Sequence, residues 1–293
     1  MSEIRFPNDI ALVLQGGGVR GAFTAGVLDV LMEHDIVFDY VIGTSAGGLN
    51  AVNYLAHDIG RSKYVTTKLM SDSRFVSMRN YLKTGNAFNF DYLMHVVPKT
   101  KLPFSQERFE NSTARFFVAA TSVETGEPAY FQKGVCAEFD NALAATASLP
   151  LFAKPVSVEG KLYMDGGPVA AIPFRKPLHD GMKRLVVVLT RKRGYRKKPV
   201  GATTRFSLKT LYKKYTNFYA ALKKQNDTYN QGVEEVEGLE QTGVAFIIAP
   251  DVPPDVGLFE KKEAKLLALY EQGRQVMERE LPRLLDFVGA DHE

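Results

Sequence analysis

The chain has 293 residues, 45% of them hydrophobic and 24% charged. Those proportions exclude a disordered, collagen-like or low-complexity chain, and the length allows a sizeable core in one large domain or two small ones. The net charge is +4, yet residues 191–224 hold twelve Lys or Arg and no acid; without those twelve the chain stands at −8. An acidic body with one basic segment favours an anionic partner.

Ile10–Leu14 is a short apolar run followed by glycines and reads as a buried parallel strand. Phe23, Val27, Leu28, Val30 and Leu31 then recur at helical spacing. Residues 39–43 read as the next strand, and 45–55 as the next helix. Strand, helix, strand, helix is the pattern of a parallel sheet with covering helices. Residues 57–112 are polar and weakly periodic, which suggests helices and loops over a site mouth. Residues 115–120 and 128–131 read as two strands joined by a turn, and 141–147 as a helix stopped before Pro150. Further strands are expected at 162–167, 185–189 and 244–248, and a surface helix at 259–281. The fold class is therefore α/β, a mainly parallel central sheet sandwiched by helices. A core over 8–175 is expected, with 176–293 as a C-terminal extension completing the same unit.

Gly43-Thr-Ser45-Ala-Gly47 matches G-x-S-x-G. A nucleophile on a sharp strand-to-helix turn needs neighbours without Cβ, and the turn exposes its Oγ at the sheet's carboxyl edge. The following helix aims its N-terminal N–H groups at the reacting centre. Gly16, Gly17, Gly18, Arg20 and Gly21 form a second motif after the first strand. Consecutive glycines there let backbone N–H groups converge on a phosphate or an oxyanion. The same run satisfies G-x-G-x-x-G, but a dinucleotide site wants a carboxylate at the end of the second strand. Asp39 starts that strand instead, and the serine turn stands at its end.

A serine needs a base. His34, His57, His95, His179 and His292 all read as exposed or helix-terminal. Asp165, before Gly166 and Gly167, is better presented on a strand end, although an Asp-Gly turn is its plainer explanation. Cys136 has no obvious partner, and Ser148 lacks flanking glycines. No cysteine–histidine cluster or calcium-loop pattern is present, so no metal or cofactor is expected.

With Ala147-Ser-Leu-Pro150 between them, these motifs occur in the order seen in the patatin-like phospholipases, which the chain resembles over residues 8–175. The resemblance implies a Ser–Asp dyad of Ser45 and Asp165, Asp165 being the proton acceptor. It implies an oxyanion hole from the glycine loop, with Arg20 supporting it, and lipid acyl hydrolase activity. The stretch before Pro150 is shorter than in many members.

Two non-enzymatic readings stay open: an acyl-lipid or phosphate binder with an idle Ser45, and a regulatory protein docked through the basic segment. In that segment Leu208, Leu211, Tyr212, Tyr215, Phe218, Tyr219 and Leu222 have helical spacing among lysines. This reads either as a basic amphipathic helix on an anionic bilayer, spanning Arg191 to Lys224, or as an ordinary core-facing helix. No nucleic-acid partner is expected. The lone cysteine and the absence of an apolar run of about 18 residues suggest a cytoplasmic protein, peripheral at the inner membrane face if the bilayer reading holds.

Overall fold

Ile10–Leu14 is buried on both sides, so each face of this strand needs its own covering layer. The computed structural model, which describes residues 4–5 and 8–289, supplies both. The strands are β1 (Ile4–Arg5), β2 (Ile10–Leu14), β3 (Ile36–Val37), β4 (Tyr40–Thr44), β5 (Arg115–Ser122), β6 (Pro128–Gln132), β7 (Val156–Val158), β8 (Lys161–Asp165), β9 (Arg184–Val188) and β10 (Ala245–Ile248). The main sheet runs β10-β9-β2-β4-β5-β8-β7, and β6 also pairs with β5. From β10 to β5 every pair is parallel, whereas β6, β8 and β7 join antiparallel. The expected mainly parallel sheet between helices is present. β1 and β3 form a separate two-stranded pair, which with β7 lay below the length that sequence patterning reveals.

The helices are α1 (Gly21–Glu33), α2 (Ala46–Leu55), α3 (Arg61–Thr67), α4 (Met78–Thr84), α5 (Val97–Thr100), α6 (Gln106–Asn111), α7 (Phe139–Thr146), α8 (Gly167–Ala170), α9 (Arg175–His179), α10 (Ala202–Tyr212), α11 (Thr216–Gln241) and α12 (Glu263–Val288). Leu12, Leu14, Phe116, Val186 and Ile248 face one layer, built from α1, α2, α7 and α12. The alternate residues Ala11, Val13, Ile42, Val187 and Ile247 face the other, where Phe174, Tyr229, Val233 and Val236 pack. Each fully buried Leu, Ile, Val or Phe contributes roughly 1.5–3 kcal/mol, so both faces are strongly specified.

Two expectations change. The C-terminal helix is not a surface helix. It buries Leu266, Leu269, Tyr270, Val276 and Met277 and lies directly on α1. A Cβ on Gly26 would stand 2.1 Å from Tyr270 O, and one on Gly273 would stand 2.1 Å from Phe23 O, so the two backbones touch. Tyr270 Oη donates to buried Asp29 Oδ2 at 2.7 Å across that contact. Charges on its outer face gave the helix its surface-like pattern. The basic segment, for its part, is not one amphipathic helix. It breaks between Tyr212 and Thr216 into α10 and α11, and Leu208, Tyr212, Phe218 and Leu222 pack around Val123 and Met164. That stripe faces the core, the plainer of the two readings. Among the described residues, no helix is long and apolar enough to cross a membrane.

Candidate active site

Parallel register places Leu14 beside both Gly43 and Val188. The glycine loop after β2, the serine turn after β4 and the basic loop after β9 therefore leave the same carboxyl edge of the sheet, where ligands of open α/β sheets bind.

Ser45 lies between β4 and α2 with φ 55° and ψ −126°, a conformation costly for a residue with a Cβ. Neighbouring glycines make the turn possible. A Cβ on Gly43 would stand 2.4 Å from Gly48 N, and one on Gly47 would stand 2.5 Å from Leu14 O. The Ser45 N–H donates to Thr146 Oγ1 at 2.9 Å, and the Thr146 hydroxyl donates to Ala119 O. Thr44 Oγ1 donates to Ala170 O at 2.6 Å. The first N–H groups of α2 have no intrahelical acceptor and start at the nucleophile.

In the glycine loop, Gly16 N donates to Ala171 O at 2.9 Å, so its N–H is engaged. Gly17 and Gly18 make no backbone N–H bond among the described residues. Gly18 has φ +55°, and a Cβ there would meet only Leu258 Cδ1 at an ordinary 3.7 Å, whereas a Cβ on Gly17 would stand 2.5 Å from Thr190 Oγ1. Arg20 ends the single 3₁₀ turn Gly18–Arg20. A Cβ on Gly21 would stand 2.8 Å from Ala46 Cβ, and Gly21 O accepts from Asn50 Nδ2 at 2.8 Å, which ties α1 to α2.

Asp165 ends β8 and is buried. Its N–H donates to Ser148 O at 3.0 Å, and its carbonyl accepts from Thr121 Oγ1 at 2.7 Å. The Ala147–Pro150 stretch thus fixes the aspartate's backbone. Gly167 N donates to Asp165 Oδ1 at 2.6 Å, while Oδ2 is buried with no partner at hydrogen-bond geometry. Burial pushes the carboxyl up to about 6, against the pull of the Ser45 hydroxyl, the Gly167 N–H and the Lys197 charge. Ser45 and Asp165 are thus brought together.

A cavity of about 270 Å³ opens beside Ser45. Gly18, Val19 and Ser45 form part of its wall, and Leu49, Phe75, Phe88, Leu93, Phe109 and Leu143 make much of the rest. The polar stretch 57–112 supplies many of these residues, as expected of a covering segment, but its aromatics carried no periodic signal. Among the histidines, His95 lines this cavity, with its side chain 58% exposed near Asp91. His34 follows α1, His57 lies 3.9 Å from Asp35, the His179 side chain is exposed, and His292 lies outside the described residues. Thr146, which holds the serine amide, carried no sequence signal beyond its place before Ala147–Pro150.

A strained serine turn at the edge of a parallel sheet, with a buried carboxyl and an apolar cavity beside it, defines the hydrolase-like class of α/β proteins. A family model described as patatin-like phospholipase matches residues 12–178, more than half of the chain, and the chain belongs to that family. A second model, for a domain of unknown function (DUF6363), matches residues 215–289. The chain is 32% identical over 188 residues to the uncharacterized protein YjjU of Escherichia coli K12, a match covering 63% of this chain and 52% of that protein. It is 28% identical over 184 residues to lysophospholipase NTE1 of Meyerozyma guilliermondii, covering 61% of this chain and 12% of that one. For lysophospholipase nte1 of Aspergillus terreus the values are 30% over 181 residues, 58% and 11%. The matches thus take in about half of the bacterial relative and about a tenth of the fungal ones. Among solved structures, VipD from Legionella pneumophila aligns with a TM-score of 0.48 and 13% identity, over 93% of this chain and 67% of that one.

Proposed function

We propose that this protein is a serine lipid acyl hydrolase of the phospholipase A or esterase type. The observation that carries this reading is the strained Ser45 turn, set between buried Asp165 and an apolar cavity. Ser45 Oγ attacks the ester carbonyl as Asp165 takes its proton. The oxyanion forms beside the free N–H groups of Gly17 and Gly18 and the start of α2. The alcohol leaves with a proton from Asp165, and water then releases the fatty acid from the acyl-enzyme. A raised Asp165 pKa suits this role, because an ordinary aspartate near 3.9 is a weak base for a serine. The cavity takes the acyl chain. Lysophospholipase activity is what the names of the fungal relatives suggest for the substrate.

The lipid would be met by the outer sides of α4 and α10. Met78, Leu82, Phe206 and Leu211 are exposed there, among Arg79, Lys83, Arg205 and Lys209. Both helices are tied to residues 151–154 near the cavity. Tyr212 Oη accepts from Leu151 N at 3.1 Å, and Asn86 Oδ1, just after α4, accepts from Lys154 N at 2.8 Å. Apolar side chains ringed by cations suit an anionic bilayer surface.

The test is fluorophosphonate labelling with a parallel p-nitrophenyl ester assay on wild type, Ser45→Ala and Asp165→Asn. Labelling and turnover in the wild type, with both lost in Ser45→Ala and turnover lost in Asp165→Asn, are expected. Turnover that survives Asp165→Asn would transfer the base role to another group, His95 first. No labelling at all would favour a lipid-binding protein with an idle serine.

A further inference from the structure

The basic loop after β9 sorts its charges by direction. Arg193 pairs with Glu240, and Arg196 with Glu237 at 2.6 Å, both carboxylates lying on α11. Gly194 N donates to the same Glu237 at 3.2 Å. Lys197 is clamped through its backbone: its N–H donates to Asn230 Oδ1 at 2.7 Å, and its carbonyl accepts from Asn230 Nδ2 at 2.9 Å. The loop is therefore held to α11 at several points.

Arg191 and Lys197 turn the other way. The Arg191 guanidinium lies 4.5 Å from the Tyr195 ring centre, and Lys197 Nζ lies 4.2 Å from that of Tyr229. Those two rings are themselves in edge contact at 6.3 Å. Thr190, just before Arg191, touches Gly17, and its N–H donates to Gln15 Oε1 at 2.9 Å. The start of the basic loop thus lies against the glycine loop, and Arg191 and Lys197 come close enough to Arg20 for the three charges to repel one another. Arg20 Nε is buried with no hydrogen-bond partner. Among the described residues, none of the three cations has a carboxylate within ion-pair distance. Burial and mutual repulsion lower Lys197 to about 8 and Arg20 to about 10. None of the three lines the apolar cavity, and Lys197 lies close enough to Asp165 for the two charges to act on each other, which puts the group near the carboxyl and outside the acyl site.

We propose that Arg20, Arg191 and Lys197 form a phosphate-binding subsite beside Ser45, which takes the phosphate of an acyl ester's polar head while the cavity takes its chain. Three converging cations held without counter-charge, one with an idle buried N–H, suit an acceptor-rich anion. The subsite also gives α11 and the loop it anchors a role in substrate choice. As substrate recognition, the assignment rests on the acyl hydrolase reading; as phosphate binding, it does not.

The experiment has two arms. In the first, Arg191→Gln and Lys197→Gln are compared with wild type on 1-palmitoyl lysophosphatidylglycerol and on 1-monopalmitoylglycerol, which shares the chain and lacks the phosphate. A rise in KM of roughly 10- to 100-fold for the phosphate ester, well beyond any change for the neutral one, is expected from losing a charge-assisted contact. In the second, inorganic phosphate and glycerol 3-phosphate are titrated by calorimetry into full-length Ser45→Ala, with and without Lys197→Gln. Binding by the first protein and its loss in the double variant are expected. Binding of glycerol 3-phosphate but not inorganic phosphate would assign the site to a head group. Equal effects on both esters, or no effect on either, would overturn the subsite, as would the absence of phosphate binding. If wild type cleaves neither ester, the hydrolase reading fails and the calorimetric arm alone decides the subsite.

Discussion

The backbone N–H of Ser45 is held by the side chain of Thr146, 2.9 Å away and 101 residues on in sequence. Because the Thr146 hydroxyl in turn donates a hydrogen bond to Ala119 O, one side chain joins the serine turn, β5 and α7. Thr146→Val keeps the shape and removes both bonds, leaving a buried N–H and a buried carbonyl unpaired. A loss of roughly 2–4 kcal/mol in urea unfolding is expected, with reduced turnover, from about 1–3 kcal/mol per unsatisfied group. Thr146→Ser retains the hydroxyl and should recover most of both. Equal behaviour of the Val and Ser variants would exclude this role.

Asp165 sets a pH dependence in two observables. As a base it works when ionised, so kcat/KM should rise with pH through about 6 and level off above it. Stability runs the opposite way. The carboxyl binds its proton more tightly folded than unfolded, so burying its charge costs stability above about 6, and the cost fades as pH falls toward the ordinary aspartate value. Asp165→Asn keeps the acceptor for Gly167 N and removes the charge. It should therefore melt higher than wild type at pH 8, by on the order of 2–3 kcal/mol in stability, and about equally at pH 4. A lower melting temperature at pH 8 would contradict the placement of an ionised, buried carboxylate.

The glycines around the serine differ in what they tolerate. Alanine at Gly43 or Gly47 would meet backbone atoms at 2.4 or 2.5 Å, which neither element can relieve by rotating a side chain. Both variants should fail to give folded protein. Gly18 has positive φ but nothing nearer than Leu258 Cδ1 at 3.7 Å, so Gly18→Ala should cost only about 1 kcal/mol of backbone strain. Circular dichroism melts of the three proteins separate these outcomes, and similar melts would show that the close approach at the turn is wrong.

The sheet strands and the two glycine motifs were legible because each depends on short-range sequence: an apolar run such as Leu185–Val188, or small residues where backbones meet. The cavity was not legible. Phe75, Phe88 and Phe109 come from separate short helices and loops, and only the tertiary fold makes them one surface. The charge pairing within the basic segment was not legible for a related reason. A stretch without acids in sequence meets acids in space, since Glu237 and Glu240 on α11 neutralise Arg196 and Arg193. The surface-like pattern of α12 came from its outer charges, while Gly273, the residue that decides its close approach to α1, carries no hydrophobic signal at all.

Membrane approach through α4 and α10 predicts that Phe206→Ser together with Leu211→Ser weakens sedimentation with anionic vesicles, leaving turnover of a soluble p-nitrophenyl ester close to wild type. Lys209→Gln and Lys213→Gln should weaken sedimentation too, and the loss should be largest at low salt and shrink as salt rises, because screening removes the attraction these lysines supply. Binding unaffected by either pair at low salt would move the docking surface elsewhere.

β9 lies between β10 and β2, so a chain stopped after residue 178 would lose two strands and expose the open flank of β2. It would also lose α12, whose backbone contact with α1 shields Phe23, Val27 and Val30. Phe23 and Val30 are fully buried in the intact chain. An exposed apolar strand edge together with an uncovered helix face favours aggregation. Residues 12–178, the part matched by the patatin-like family model, are therefore expected to be insoluble alone, and co-expression with residues 179–293 should restore soluble, fluorophosphonate-reactive protein. A soluble, cooperatively melting 1–178 fragment would show instead that the C-terminal part is an accessory to a self-sufficient core.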